Sequence, residues 1–300
     1  MRRNLVILVC ALCMMAHSVL GAEPIGPSLQ KLSVNIAAGS SVQGSGTLVV
    51  VEIDKKPTVW ALTAEHVVRG QKQTRDVVGL EGETRKQVSY KDVSVVQEQV
   101  MDGRTVGEIK YDARVVSVDP RRDIALLRIR ADFTQVGVAF YMDDTIPQPG
   151  TPIFHCGAPG GKEIGGTATL TAGIVSRLGV RIPDFGGSEH GVFDQTDCAS
   201  MGGSSGGMVA LQSDGRYIGM ITLGLQGGDS FNWIVPIRSI RDWANELKIP
   251  WLLDPKAERP TEEEIQAIPL ELNPSGFTKS EPTPAPTPAD GPGAHLKITP

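Results

Sequence analysis

Histidine is scarce in this chain, with five in 300 residues. Only His66, His155, His190 and His295 lie beyond position 22. None stands at ligand spacing from a cysteine or another histidine, which argues against a metalloenzyme, and no cofactor is implied. Cysteine is nearly as rare, and two of the four (Cys10, Cys13) fall at the extreme amino end. No apolar run is long enough to cross a bilayer comfortably, so no stable membrane span is expected. There is no excess of charge either. The net value of −5 gives no footing for a general nucleic-acid binder. Before residue 236 no stretch keeps helical periodicity beyond a turn or two. What is plentiful is the turn former: Gly 34 and Pro 21 fit a turn-rich β protein better than a helical bundle.

The two ends differ from the body. Arg2 and Arg3, the apolar segment Leu5 to Ala16 and the small-residue exit around Gly21 and Ala22 read as a secretory signal peptide over residues 1–22. Export to the periplasm or outside the cell is the expectation. In that oxidising setting Cys156 and Cys198 remain, either as two buried thiols or as a single disulfide. A bridge closing that 42-residue interval could add roughly 4 kcal/mol by loop entropy. At the other end the chain turns polar from Asp254, and Glu281 to Pro292 reads EPTPAPTPADGP. That composition cannot bury a core, so 254–300 is expected to be a disordered tail. Within it Glu262 to Leu272 reads as a short helix or docking segment.

Between these ends, residues 23–40 form an entry arm, and strands then follow closely. They are expected at 45–53, 58–63, 87–97, 106–111, 113–118 and 124–129, within a first unit spanning 41–145. The Pro147 to Gly150 turn leads to a second unit, 146–253, with strands at 152–156, 167–180, 192–196, 208–212, 217–223 and 231–236. Ile237 to Ile249 carries apolar residues at 237, 240, 243, 247 and 249, the pattern of an amphipathic terminal helix. Two blocks of short antiparallel strands plus one helix predict an all-β double barrel.

Chemistry concentrates in Gly203-Ser204-Ser205-Gly206-Gly207. Glycines let successive N–H groups turn inward, and a serine among them has an exposed hydroxyl. His66 stands where the strand Thr58 to Thr63 gives way to a turn, a rigid place to present a base. Asp123, directly ahead of Ile-Ala-Leu-Leu, is drawn toward the core and needs a strong donor, which a histidine Nδ1–H supplies. Gly-x-Ser-x-Gly also suits an α/β-hydrolase elbow, but there a helix and a later histidine must follow the serine. Here a strand follows, and the only later histidine is His295 in the tail. The order His66, Asp123, Ser205 is that of a double-barrel serine protease.

These motifs, together with Gly44-Ser45-Gly46, Thr63-x-x-His66-Val67-Val68, Ala113 to Ile129, Thr171 to Ser176 and Gln195-Thr196-Asp197, resemble a trypsin-like serine protease. Among these, the HtrA (Deg) branch is most similar. The resemblance covers about residues 43 to 249. It implies two six-stranded antiparallel barrels of chymotrypsin-like topology and hydrolysis of polypeptides through an acyl-enzyme, with His66, Asp123 and Ser205 catalytic. The oxyanion hole falls on Gly203, Ser204 and Ser205, with the Gly203 and Ser205 N–H groups as donors. Ser204 stands where an Asn or Asp is usual.

The resemblance also places substrate. Thr222, Leu223 and Gly224 would line an extended peptide, Ala199 would floor the P1 pocket and Asn232 would stand on its wall. Ala199 does not select Lys or Arg, and Ile221 occupies the place where glutamate-specific relatives carry a histidine. A small or medium aliphatic P1 residue is therefore expected. The tail is too short and Pro-rich for a PDZ domain to be expected, so the resemblance does not by itself imply that family's oligomerisation and peptide-sensing control. A protease-fold peptide-binding protein with weak catalysis is the competing expectation.

Overall fold

The computed structural model describes residues 24–39, 42–78, 84–101, 104–131, 137–161, 167–182, 191–225, 228–272 and 298–299. The leader, His190, His295 and the Pro-rich stretch around 281–292 lie outside the described residues.

A short helix, Ile25–Leu32, leads into the first barrel. Its strands are β1 (Ser33–Ala38), β2 (Val42–Ile53), β3 (Lys56–Thr63), β6 (Val93–Met101), β7 (Arg104–Asp119) and β8 (Ile124–Ile129), closed in the order β1-β2-β3-β8-β7-β6. A separate hairpin pairs β4 (Lys72–Val78) with β5 (Thr84–Tyr90). Side chains on a strand alternate between faces, and here both faces are apolar. In β8, Ala125, Leu127 and Ile129 fill the barrel, whereas Ile124 and Leu126 join the larger core outside it. The same division in β3 sends Val59 and Ala61 inward and Trp60 and Leu62 outward. That is why these strands read as continuous apolar runs rather than as alternating ones.

The second barrel uses β9 (Pro152–Gly157), β10 (Thr169–Val180), β11 (Phe193–Thr196), β12 (Met208–Leu211), β13 (Tyr217–Leu225) and β14 (Gly228–Pro236). The order is β12-β9-β10-β11-β14-β13, and a β12–β13 pairing closes it. Because β12 is short, it does not cover the far half of β13. Met208 and Val209 pair with Met220 and Gly219, while Gly224 and Leu225 pair with Thr299 and Ile298 of a two-residue strand, β15 (Ile298–Thr299).

The terminal helix runs Ile237–Glu246, starting directly after Pro236 and burying Ile237, Ile240, Trp243 and Ala244. Beyond it the chain crosses back to the first barrel. Trp251 lies against Trp60 with ring centroids 5.5 Å apart. Arg122 donates to Asp119 at 2.6 Å and to Glu246 at 3.1 Å, tying the β7–β8 turn to the helix end.

The tail expected from Asp254 onward is corrected here, because residues 254–272 are folded. Thr261 and Glu264 form a capping box on the helix Glu262–Gln266, and Ile265 is buried. The following segment docks on β7, with Val118 N–H donating to Leu270 O at 2.8 Å and Ser117 Oγ to Pro269 O at 2.7 Å. Two strand boundaries also shift. The run expected over 87–97 is broken at Lys91 and Asp92, and the two expected over 106–118 are one continuous strand.

Candidate active site

His66 is held by the end of β3. After Thr63 and the extended Ala64, a single helical turn, Glu65–Val68, drives Val67 and Val68 into the first-barrel core. The imidazole keeps a tenth of its surface exposed. Asp123 occupies the β7–β8 turn in a left-handed conformation, φ 57°, and its carboxyl is wholly buried. Aspartate tolerates that region better than most residues, and such strain often marks functional positions.

The carboxylate is fully engaged. Oδ1 accepts the backbone N–H of His66 at 2.9 Å, and Oδ2 accepts from His66 Nδ1 at 2.8 Å and from the Thr222 hydroxyl. Burial alone would push the Asp123 carboxyl up. The adjacent His66 and the hydrogen bonds from His66 and Thr222 outweigh burial and hold it below its usual range. An Nδ1–H bonded to this carboxylate leaves Nε2 with the lone pair, the form a general base requires.

Ser205 approaches from the second barrel, on the loop that feeds β12. Its Oγ donates to Thr222 O at 3.2 Å. Among the described residues no hydrogen bond joins it directly to His66. The network is nevertheless continuous from His66 through Asp123 and Thr222 to Ser205. Around the serine, the carbonyl of Gly202 accepts from Gly160 N–H at 2.6 Å. In a trans peptide the next N–H points the opposite way. The N–H groups of Gly203 and Ser205 engage no acceptor among the described residues, which leaves two open donors in the Gly203–Ser205 segment. Gly203 has φ +95°, and a Cβ there would lie 2.4 Å from Ala158 O, so only glycine fits.

Ser204 is corrected as an oxyanion-hole residue. Its N–H is engaged by Met201 O at 2.9 Å, and its buried hydroxyl accepts from Met201 N–H at 3.3 Å. Where the resemblance would place an Asn or Asp, Ser204 braces the tight turn ahead of Ser205.

Ser45 is a site residue that sequence reasoning placed only in a matching motif. Its Oγ donates to Gly203 O at 2.7 Å and accepts from Ala158 N–H at 2.8 Å, while its own N–H donates to Ser205 O at 2.7 Å. One first-barrel residue therefore fixes both ends of the Gly203–Ser205 segment. Thr63 supports it by donating to Ser45 O at 2.7 Å. The signal available was the Gly44-Ser45-Gly46 triplet itself. A Cβ at Gly44 would meet Val67 at 2.5 Å, so the strand passes too close for any other residue.

The expected substrate residues divide. Thr222 is buried in the network, and Leu223 turns its side chain into the core. Gly224 pairs with Asn232 of β14 on one side and with Thr299 of β15 on the other. Asn232 is buried, donating to Cys198 O at 2.7 Å and accepting from Ser200 Oγ at 2.6 Å, so both ends of its amide are engaged within the protein. It acts as a brace between β14 and the 198–200 segment. Ala199 is exposed rather than enclosed, and its carbonyl accepts from Thr171 Oγ1 at 3.0 Å.

Of the two alternatives for Cys156 and Cys198, the structure has buried free thiols and no bridge between them. Burial pushes their thiols up to about 12 and about 11, so neither forms the reactive thiolate at neutral pH. His155 is equally buried beneath the loop. Its Nδ1 pairs with Met208 O at 3.1 Å, and its Nε2 has no partner among the described residues. A Cβ at Gly207 would meet its ring at 2.6 Å.

Several known proteins are similar to this chain. The periplasmic serine endoprotease DegP of Salmonella typhimurium is 32% identical over 157 residues, covering 51% of this chain and 30% of that protein. A probable DegP-like endoprotease of a Marinomonas species is 32% identical over 139 residues, covering 44% of the chain and 28% of the relative. The chain thus spans under a third of the length of these relatives. By fold, it matches the HtrA-type protease AlgW with tripeptide (TM-score 0.54, 22% identity, 76% of this chain and 64% of that one). A serine endoprotease from Yersinia pestis is similar too (TM-score 0.52, 19% identity, 78% and 68%). A family model described as "Trypsin-like peptidase domain" matches residues 44–220, a span that holds His66, Asp123 and Ser205. With more than half of its length matched by that model, the chain belongs to the trypsin-like peptidase family.

Proposed function

We propose that the protein is an exported serine endopeptidase. The observation that carries this reading is the bonded path His66–Asp123–Thr222–Ser205 ending in a segment with two open N–H donors. In the proposed reaction His66 Nε2 takes the Ser205 proton as Oγ bonds to the scissile carbonyl carbon. The resulting oxyanion lies against Gly203 N–H and Ser205 N–H, each worth about 3 kcal/mol to the transition state. His66 then gives the proton to the leaving amine, the C–N bond breaks, and water hydrolyses the acyl-enzyme by the same path in reverse. Asp123 keeps the His66 tautomer fixed and stabilises the imidazolium.

Substrates are polypeptides held in extended form along Thr222–Gly224 by strand addition. The preference for a small or medium aliphatic P1 residue is supported by the uncharged Ala199 and by the engagement of both polar ends of Asn232. Export is supported by the charged and apolar pattern of residues 1–22 and by the periplasmic names of the relatives. No helix among the described residues is long and apolar enough to cross a membrane.

A fluorophosphonate probe tests the reading. Labelling of the wild-type protein and none of Ser205→Ala is the expected result. A second reading, a peptide-binding protein of this fold with weak catalysis, draws on the bond from Ser205 Oγ to Thr222 O rather than to His66. Absence of labelling with peptide binding retained would establish it in place of the first. For specificity, a cleavage profile with Lys or Arg at P1 would overturn the assignment to Ala199.

A further inference from the structure

The outer edge of β13 is already occupied by the chain itself. Gly224 pairs with Thr299 and Leu225 with Ile298, antiparallel. This edge exists because β12 stops covering β13 near Met220, and it passes directly beside the Ser205 loop. The direction of the added segment matters. As the tail advances from Ile298 to Thr299, its partner on β13 steps back from Leu225 to Gly224. Continued one way, that line leads to Leu223 and Thr222, whose carbonyl holds the Ser205 hydroxyl.

We propose that the carboxy-terminal segment around Ile298–Thr299 is an intramolecular competitor for the peptide-binding edge. It lies as an added strand where the upstream residues of a substrate would lie. The inference rests on reading Thr222–Gly224 as the edge that takes substrate.

The tether permits this. The last described residue before it is Leu272, and residues 273–297 supply 25 positions with a maximal reach of roughly 80 Å. That exceeds the breadth of a double barrel, so the segment can reach β13 of its own molecule. Tethering gives such a segment an effective concentration in the millimolar range, enough to occupy an edge that it would bind weakly if free. Of two adjacent antiparallel pairs, one exchanges both backbone hydrogen bonds and the other none. The contact is therefore small, and an extended substrate that forms more bonds displaces it. The consequence is a graded brake that raises the apparent KM and leaves bond cleavage untouched.

The test uses the full chain with both positions changed, Ile298→Pro and Thr299→Pro, which removes the backbone donors of the segment. Both lie outside the strands that close either barrel, so the fold does not depend on them. In a Ser205→Ala background, amide exchange at Gly224–Leu225 is expected to quicken at least tenfold in the proline variant. In the Ser205 protein, KM for an extended peptide should fall three- to tenfold with kcat unchanged. A synthetic heptapeptide of residues 294–300 should then inhibit the proline variant competitively. Equal exchange at Gly224–Leu225 in parent and variant would overturn the proposal, as would an unchanged KM. If the chain cleaves no peptide at all, the exchange measurement still decides the strand, so loss of the peptidase reading and loss of this one are told apart.

Discussion

Ser205 and Thr222 are joined through the main chain of one and the side chain of the other: Ser205 Oγ donates to Thr222 O at 3.2 Å. Thr222 in turn gives its own hydroxyl to Asp123. A single residue of the second barrel thus touches the proposed nucleophile and the buried carboxylate of the first. Its carbonyl is also the group an extended substrate would need, so substrate binding would release the serine hydroxyl toward His66.

Removing the Thr222 hydroxyl should be costly. Thr222→Val leaves a wholly buried carboxylate short of one donor, a loss of about 1–3 kcal/mol. The expected outcome is a fall in kcat of about tenfold or more with little change in KM, and recovery in Thr222→Ser. Steady-state kinetics on the three proteins check it. The carboxylate's depressed pKa adds a sign. Its stabilising contribution is present above the ordinary aspartate value and is lost as pH falls through the lower folded value. Thr222→Val should move that loss to higher pH.

Gly203→Ala should abolish most activity while the barrels remain intact. The Cβ would meet Ala158 O at 2.4 Å, at a φ of +95° that alanine avoids. The peptide must rotate, and the N–H leaves the oxyanion position. A loss on the order of 10²–10³ in kcat is expected, with near-unchanged far-UV circular dichroism. Retention of full activity would remove Gly203 from the proposed hole.

Ser45→Ala tests the inter-barrel brace. It removes a donor to Gly203 O and an acceptor for Ala158 N–H, both in a buried setting. We expect about 1–3 kcal/mol of destabilisation, read as a lower urea midpoint. Fluorophosphonate labelling should also slow, because the Gly203–Ser205 segment loses its anchor. A stability change without slower labelling would make Ser45 a packing residue only.

His155 should make the protein acid-labile. Burial lowers its pKa to about 4, so the folded state holds the neutral ring while the unfolded chain takes up a proton below about 6.5. Stability from this residue is complete above that upper value and falls as pH drops toward 4, by up to about 3 kcal/mol. His155→Leu should flatten the urea midpoint across that window, at a cost near neutral pH from the lost bond to Met208 O.

The strands of both barrels were largely legible because their boundaries coincide with turn formers. β8, bounded by Asp123 and Arg130, lies where the sequence places it. The hairpin of β4 and β5 was half missed: Lys72–Val78 is exposed along nearly its whole length, so it has no apolar face to betray it. Of the stretch 254–272, the short helix and docking segment over Glu262 to Leu272 was expected, whereas the extent of the fold from Asp254 onward was hidden for a related reason. Its attachment rests on backbone bonds to β7 and on few buried apolar side chains, among them Ile265. Main-chain pairing leaves little trace in composition. Chain order made His66, Asp123 and Ser205 readable. The roles of Ser45 and Ser204 depend on which N–H meets which carbonyl, and residue types alone do not carry that information.

The contact between Trp60 and Trp251 sets an order of events. Synthesis delivers the amino end first, so β3 emerges long before Trp251, which covers it. Until then Trp60, Leu62, Ile124 and Leu126, which belong to the shared core, face water on the outer wall of the first barrel. The outer wall of that barrel is therefore covered only once the second barrel and the stretch through Leu253 have arrived. Ser45 and the Gly203–Ser205 segment likewise meet only then, so the proposed active centre would form last.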